Sequence, residues 1–174
     1  FGEYDVLAVV ERDYLAQLGE QVLPDGAHYE RSMMYHKLIL EGLLRVEQAY
    51  RSAGKTVPDM VASKARQMLD AMASIERGMG KTPFFNDSAD GVAKECASLI
   101  CACRYVYGYE PDDTKVVFPE SGFYKLYDRD AALVFFAGEP GPRYMLGHAH
   151  CDCELGHLRL PERAKALFSK HCGA

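Results

Sequence analysis

The apolar positions of this chain fall on helical spacing as far as about residue 107, and then the period changes. Over residues 4–22, Leu7, Val10, Tyr14 and Leu18 lie on one face of a predicted helix. A second stripe runs Tyr35, Ile39, Leu43, Val46 and Tyr50. A third, over residues 59–77, runs Val61, Ala65, Met68, Met72 and Ile75. A fourth helix is predicted over residues 91–107, with Val92, Cys96, Leu99, Cys103 and Val106 on its stripe. Methionine and aromatic stripes of this kind form core faces. Lys81 to Asp90 reads as a loop and Tyr109 to Thr114 as a polar linker. Gly122 to Tyr127 and Ala131 to Ala137 then alternate as strands around the turn Asp128-Arg129-Asp130. The switch near residue 115 is the expected domain boundary. After Pro161 the chain reads as a short charged helix.

Two short stretches carry the candidate chemistry. In the first, Pro24-Asp25-Gly26 is a turn signal and Ser32 is placed to cap the second helix. His28, Tyr29, Glu30 and Arg31 therefore crowd the helix entrance, with Tyr35 and His36 in the first turn. A helix N-terminus favours negative charge, so a carboxylated or sulfated ligand suits this entrance. The plainer reading is a capped core helix in which Tyr35 only packs. The second stretch is Gly147-His148-Ala149-His150-Cys151-Asp152. In a strand, His148, His150 and Asp152 share one face. They form a metal half-site, short of the three or four protein ligands that zinc takes. The alternative is a polar strand face with hydrogen-bonded histidines.

Composition narrows the class. A chain of 174 residues, 48% apolar and 26% charged, can bury one sizeable core. The net charge of −5 gives no global attraction for polyanions, so any such attraction must be local. No apolar run is long enough to span a membrane, and no signal peptide is visible in these residues. The six cysteines do not form a disulfide framework. Cys96 and Cys103 share a helical stripe and read as buried thiols, while Cys101 lies off it. Cys151 and Cys153 alternate out of phase with His150 and Asp152, which argues against a zinc knuckle. No nucleotide-binding glycine loop, internal repeat or low-complexity tract occurs, and no nucleic-acid partner is expected.

A family resemblance emerges from the ordered motifs. Asp25-Gly26-Ala27-His28-Tyr29-Glu30-Arg31-Ser32, followed by Met34-Tyr35-His36, resembles the signature of the heparinase II/III-like polysaccharide lyases. Asn86-Asp87-Ser88-Ala89-Asp90-Gly91 resembles their loop between toroid helices, and Phe118-Pro119-Glu120-Ser121-Gly122-Phe123-Tyr124 the entry to their β-domain. Gly138-Glu139-Pro140-Gly141-Pro142 and the His148/His150 stretch resemble their histidine motif. The resemblance covers about residues 12 to 153. Ala27 stands where glycine is frequent and Met33 where proline is frequent, and neither change removes a reacting group.

The resemblance implies an α+β fold: the C-terminal part of an incomplete (α/α) toroid, then the first strands of an antiparallel β-sandwich. Residues 1–114 would be the toroid piece, 115–153 the start of the sandwich, and 154–174 a tail that does not match the family. It implies β-elimination at a uronic acid of an acidic polysaccharide, in a periplasmic or secreted bacterial enzyme. By motif, Tyr35 and His148 take the catalytic places. His28, Glu30, Arg31 and His36 are candidates for substrate binding. His150 matches a ligand of a structural zinc, with Asp152 as a further candidate, and no organic cofactor is implied. Family members neutralise the substrate carboxylate with an Asn or His on an earlier helix, which this chain is expected to lack. This chain is then the central piece of a longer lyase, expected to be inactive alone and to hold zinc weakly or not at all. A frameshift or fragmentary gene would explain the tail. The competing readings are a non-catalytic sugar-binding remnant and a zinc-dependent hydrolase using His148, His150 and Asp152.

Overall fold

The computed structural model describes residues 3–129, 131–139 and 156–160. Helix α1 spans Glu3–Gln21, α2 Met33–Ser52, α3 Asp59–Glu76 and α4 Cys96–Tyr107. The strands are β1 (Val117–Phe118), β2 (Phe123–Tyr127), β3 (Ala132–Phe136) and β4 (Gly156–Arg159). They pair antiparallel in the order β1-β2-β3-β4. The described chain is thus a mixed fold, helices first and a small antiparallel sheet after them.

The third helix follows its sequence pattern throughout: Val61, Ala65, Met68, Met72 and Ile75 are all buried. The second is rotated from its predicted stripe. Leu43 alone of that stripe is fully buried, and the buried face runs through His36, Leu40, Leu43, Leu44 and Glu47. The reason is that this face buries charge, one residue with a buried partner and one bonded to the exposed Arg51. Lys37 Nζ lies 2.7 Å from Glu76 Oε1 on α3, and Glu47 Oε1 accepts from Arg51 Nη2 at 2.6 Å. A hydropathy stripe cannot register a face built partly from ion pairs. On α1, only Leu18 of the predicted face is buried, and Leu7 and Val10 are exposed. The fourth helix starts at Cys96 instead of residue 91. Gly91 has φ +74°, outside the helical region, and Val92 is exposed. Cys103 is buried as expected, Cys96 is partly buried and Cys101 exposed, and all three are free thiols.

The predicted hairpin is present as β2 and β3, paired from Phe123↔Phe136 to Tyr127↔Ala132. The sheet has two further strands that the alternation did not reveal. β1 has only two residues, and β4 lies inside the stretch read as a tail. The sheet meets the helices through an aromatic cluster. Phe85, Phe123 and Phe136 stack with ring centroids 5.2–5.8 Å apart, and each is at most 1% exposed. Lys125 on β2 donates to the Ser74 carbonyl of α3, and Arg77 lies 4.7 Å over the Tyr127 ring.

The turn before α2 is fixed from both sides. Gly26 has φ +94°, and a Cβ there would come 2.4 Å from the Gln67 carbonyl oxygen of α3. Only glycine fits so close to a helix backbone. On the other side, the buried Asp25 carboxylate accepts from Ser121 N at 2.7 Å and Ser121 Oγ at 2.9 Å. Its second oxygen accepts from Ala27 N at 3.1 Å. Asp25→Ala would leave these buried donors unpaired, and we expect a loss of about 3 kcal/mol of stability. Urea unfolding checks this: an unchanged midpoint would mean that water replaces the carboxylate.

Candidate active site

The site is assembled where the entrance of α2 meets the loop of residues 81–90. Ser32 adopts extended backbone and caps α2, its hydroxyl accepting from Tyr35 N at 3.2 Å. The same hydroxyl donates to the Asp87 carbonyl at 2.8 Å and lies 2.9 Å from Ser88 Oγ. One oxygen therefore starts the helix and holds the loop against it. Asn86 Nδ2 donates to the Arg31 carbonyl at 3.0 Å, and Ala89 N to Met34 Sδ at 3.4 Å. Arg31 (φ +56°) and Asn86 (φ +52°) are the two non-glycine residues with left-handed backbone among those described. Such conformations cost on the order of 1 kcal/mol each and persist where the surroundings fix them.

This frame brings Tyr35 to Asp87. The phenol donates to Asp87 Oδ2 at 2.5 Å across 52 residues of sequence. The hydrogen bond to Asp87 raises the pKa of Tyr35 above the ordinary phenol range; burial and the charges of Asp87 and Glu30 act in the same direction. Tyr35 therefore holds its proton at neutral pH. The resting site contains a phenol and not a phenolate.

The other candidate residues occupy different kinds of position. Arg31 is buried, and its Nε donates to the Ser121 carbonyl at 3.2 Å, so it ties the entrance to the sheet. Glu30 is half-buried and contributes its charge near Tyr35. His36 is an interior residue. Its Nδ1 accepts from His28 N at 3.3 Å, which leaves Nε2 to donate to the Met68 carbonyl at 2.8 Å. His28 is 3% exposed, and neither ring nitrogen has a hydrogen-bond partner among the described residues. Its ring meets Tyr29 edge-on at 4.7 Å. Burial lowers the pKa of His28 to about 3, with His36 adding to the effect. Burial likewise lowers His36 to about 4.

His148, His150, Cys151, Asp152 and Cys153 lie outside the described residues, as does the predicted helix after Pro161. Among the described residues no group of three or more His, Cys, Asp or Glu side chains is placed to hold a metal ion. His157, on β4, packs edge-on against Phe85 at 4.7 Å, with Nε2 bonded to the Phe84 carbonyl at 2.6 Å. Asp87 is the residue to which the sequence reading gave no role. The only signal for it was its place in the Asn86-Asp87-Ser88 motif.

Comparison with known proteins agrees with this architecture. The heparinase II/III N-terminus family model matches residues 12–114, and the heparinase II/III-like C-terminal model matches residues 110–154. The chain belongs to the heparinase II/III family. Among solved structures it is similar to a heparan sulfate lyase HepC mutant from Pedobacter heparinus, with TM-score 0.66 and 20% identity over 84% of this chain. It is also similar to a heparinase III gene product, with TM-score 0.71 and 19% identity over 85% of this chain. The match spans 26% of the length of each of these structures. No curated protein matches the chain.

The two interior histidines give a pH prediction. Both have folded pKa values below the unfolded value near 6.5, so the unfolded chain binds protons that the native chain refuses. Stability is full above pH 6.5 and falls as pH drops from there toward 4. At pH 5 the loss is about 2 kcal/mol for each histidine. Urea unfolding at pH 7.5 and pH 5 measures it, and His36→Gln should flatten the slope by about one proton. Stability independent of pH over this range would contradict the placement of these rings.

Proposed function

We propose that this chain carries the tyrosine half of a polysaccharide lyase site that acts by β-elimination on uronic acid residues of an acidic polysaccharide. The observation that carries the reading is Tyr35: a half-buried phenol at a helix entrance, its hydroxyl fixed at 2.5 Å from a carboxylate. Membership of the heparinase II/III family supports it, as does the likeness to solved heparan sulfate lyases. Those lyases are nearly four times as long as the matched region, so the whole reaction is part of the proposal.

The chemistry required is plain. A proton α to a carboxylate is weakly acidic, because the carbanion forms beside an existing negative charge. The enzyme must neutralise that carboxylate, remove the proton, and protonate the departing glycosidic oxygen. Tyr35 keeps its proton at neutral pH and so is available to protonate the leaving oxygen. His148 takes the second catalytic place by the family resemblance. Glu30 and Arg31 shape the entrance, and His28 and His36 support it from the interior. His150, with Asp152 as a further candidate, would hold a structural zinc in this reading, and both lie outside the described residues.

In this reading residues 1–114 form a toroid piece and residues 115–153 begin a sandwich. The stretch 154–174 stays outside the family pattern, though β4 within it joins the sheet. A periplasmic or secreted location follows by analogy. No described helix is long and apolar enough to cross a membrane. Binding of a sulfated or carboxylated glycan without turnover is the second reading, favoured by the short span of the match.

Tyr35→Phe tests the first reading in a longer polypeptide that contains this chain. Elimination, followed by the ultraviolet absorbance of unsaturated uronates, should fall by about 100-fold to 10,000-fold. Stability should change by only about 1 kcal/mol, the value of one hydrogen bond. Near-normal turnover in this variant would show that Tyr35 only packs.

A further inference from the structure

We propose that Asp87 is the proton-accepting partner of Tyr35: the phenol oxygen takes the C5 proton of the uronate as its own hydroxyl proton passes to the Asp87 carboxylate. The proposal rests on the lyase reading above and adds the group that lets one tyrosine serve as both base and acid.

The geometry leads to it directly. A phenol has one proton, and here that proton is committed to Asp87 Oδ2 at 2.5 Å. This is the short range of a hydroxyl bonded to a carboxylate. The remaining lone pairs of the phenol oxygen are then the ones a substrate meets. Tyr35 cannot serve as base by first becoming a free phenolate, because Asp87 and Glu30 both oppose that charge. It can serve as base only if its proton leaves in the same step, and Asp87 is in contact to receive it. The pair is also built into the fold. The Asp87 carbonyl is held by Ser32 Oγ, and the adjoining Asn86 side chain is bonded to the Arg31 carbonyl. The segment that leads into Tyr35 is thus locked to Asn86 and Asp87.

The steps balance. The C5–H bond breaks, its electron pair becomes the C4–C5 double bond, and the C4–O4 bond breaks. The C5 proton bonds to the Tyr35 oxygen while the Tyr35 proton moves to Asp87. Tyr35 then protonates O4 and recovers a proton from Asp87. The site returns to its starting state with no external oxidant, reductant or cofactor.

Asp87→Asn is the discriminating variant, because an amide oxygen still accepts a hydrogen bond from the phenol but takes no proton. In a longer polypeptide that contains this chain, with heparan sulfate as the probe, D87N should lower kcat by about 100-fold or more while KM changes little. A second measurement needs no turnover: carbon-13 NMR titration of the Tyr35 ring, assigned with Y35F. The ring should titrate above the usual value near 10 in the unaltered chain and move down in D87N. Near-native kcat in D87N, or an unchanged Tyr35 titration, overturns the proposal. If a longer polypeptide that contains this chain unaltered makes no unsaturated product, the lyase reading falls and the relay with it. A titration shift would then mark a structural pair only.

Discussion

The Asp25 carboxylate is the joint on which the rest of the structure depends. It is buried, and a buried carboxylate is tolerated only where donors surround it. Those donors are Ala27 N in its own turn, and Ser121 N and Oγ in the turn between β1 and β2. Lys115 Nζ donates to the Asp25 carbonyl at 2.9 Å, and Arg31 to the Ser121 carbonyl. The helical part and the sheet are therefore fastened by directional contacts as well as by the phenylalanine cluster. Apolar packing alone permits small slips between two layers. A carboxylate held by several donors, beside a glycine that fits tightly against α3, does not.

From that joint the site follows in short steps. The fixed turn delivers Ser32 to the start of α2, and Ser32 gathers the Asp87 loop with the same hydroxyl that caps the helix. The strained backbones of Arg31 and Asn86 face each other across one hydrogen bond. Strain held in this way is offset by the contacts around it and keeps the geometry single-valued. A phenol and a carboxylate can then stand at 2.5 Å without reorganising when a substrate arrives.

What could be read in the sequence was local. Ser32 as a cap, the stripe of α3 and the β2–β3 hairpin all depend on neighbours within a few residues, and all were legible. The start of α4 was missed because Gly91 takes a left-handed conformation that a spacing rule does not see. The buried face of α2 was misplaced because Lys37 and Glu47 go inward, Lys37 onto the buried Glu76 and Glu47 bonded to the exposed Arg51. Strands as short as β1 and β4 carry no alternation long enough to detect. His28 and His36 were candidate ligands by residue type, yet their depth depends on how α2 packs on α3. The Tyr35–Asp87 contact was illegible for the plainest reason: nothing local links positions 52 residues apart.

One expectation from the sequence changes meaning in the structure. The entrance of α2 was read as a place for an anionic ligand, because a helix N-terminus favours negative charge. The first turn contains no acidic residue of its own, so that preference is not met within the helix. Asp87 comes close by another route: its backbone carbonyl is held by the capping Ser32, and its carboxylate accepts from the phenol of the first turn. The capping serine thus helps to hold a carboxylate beside Tyr35, where an isolated carboxylate–phenol pair in water would separate. If Tyr35 and Asp87 act as proposed, the α2 entrance serves proton transfer ahead of anion binding.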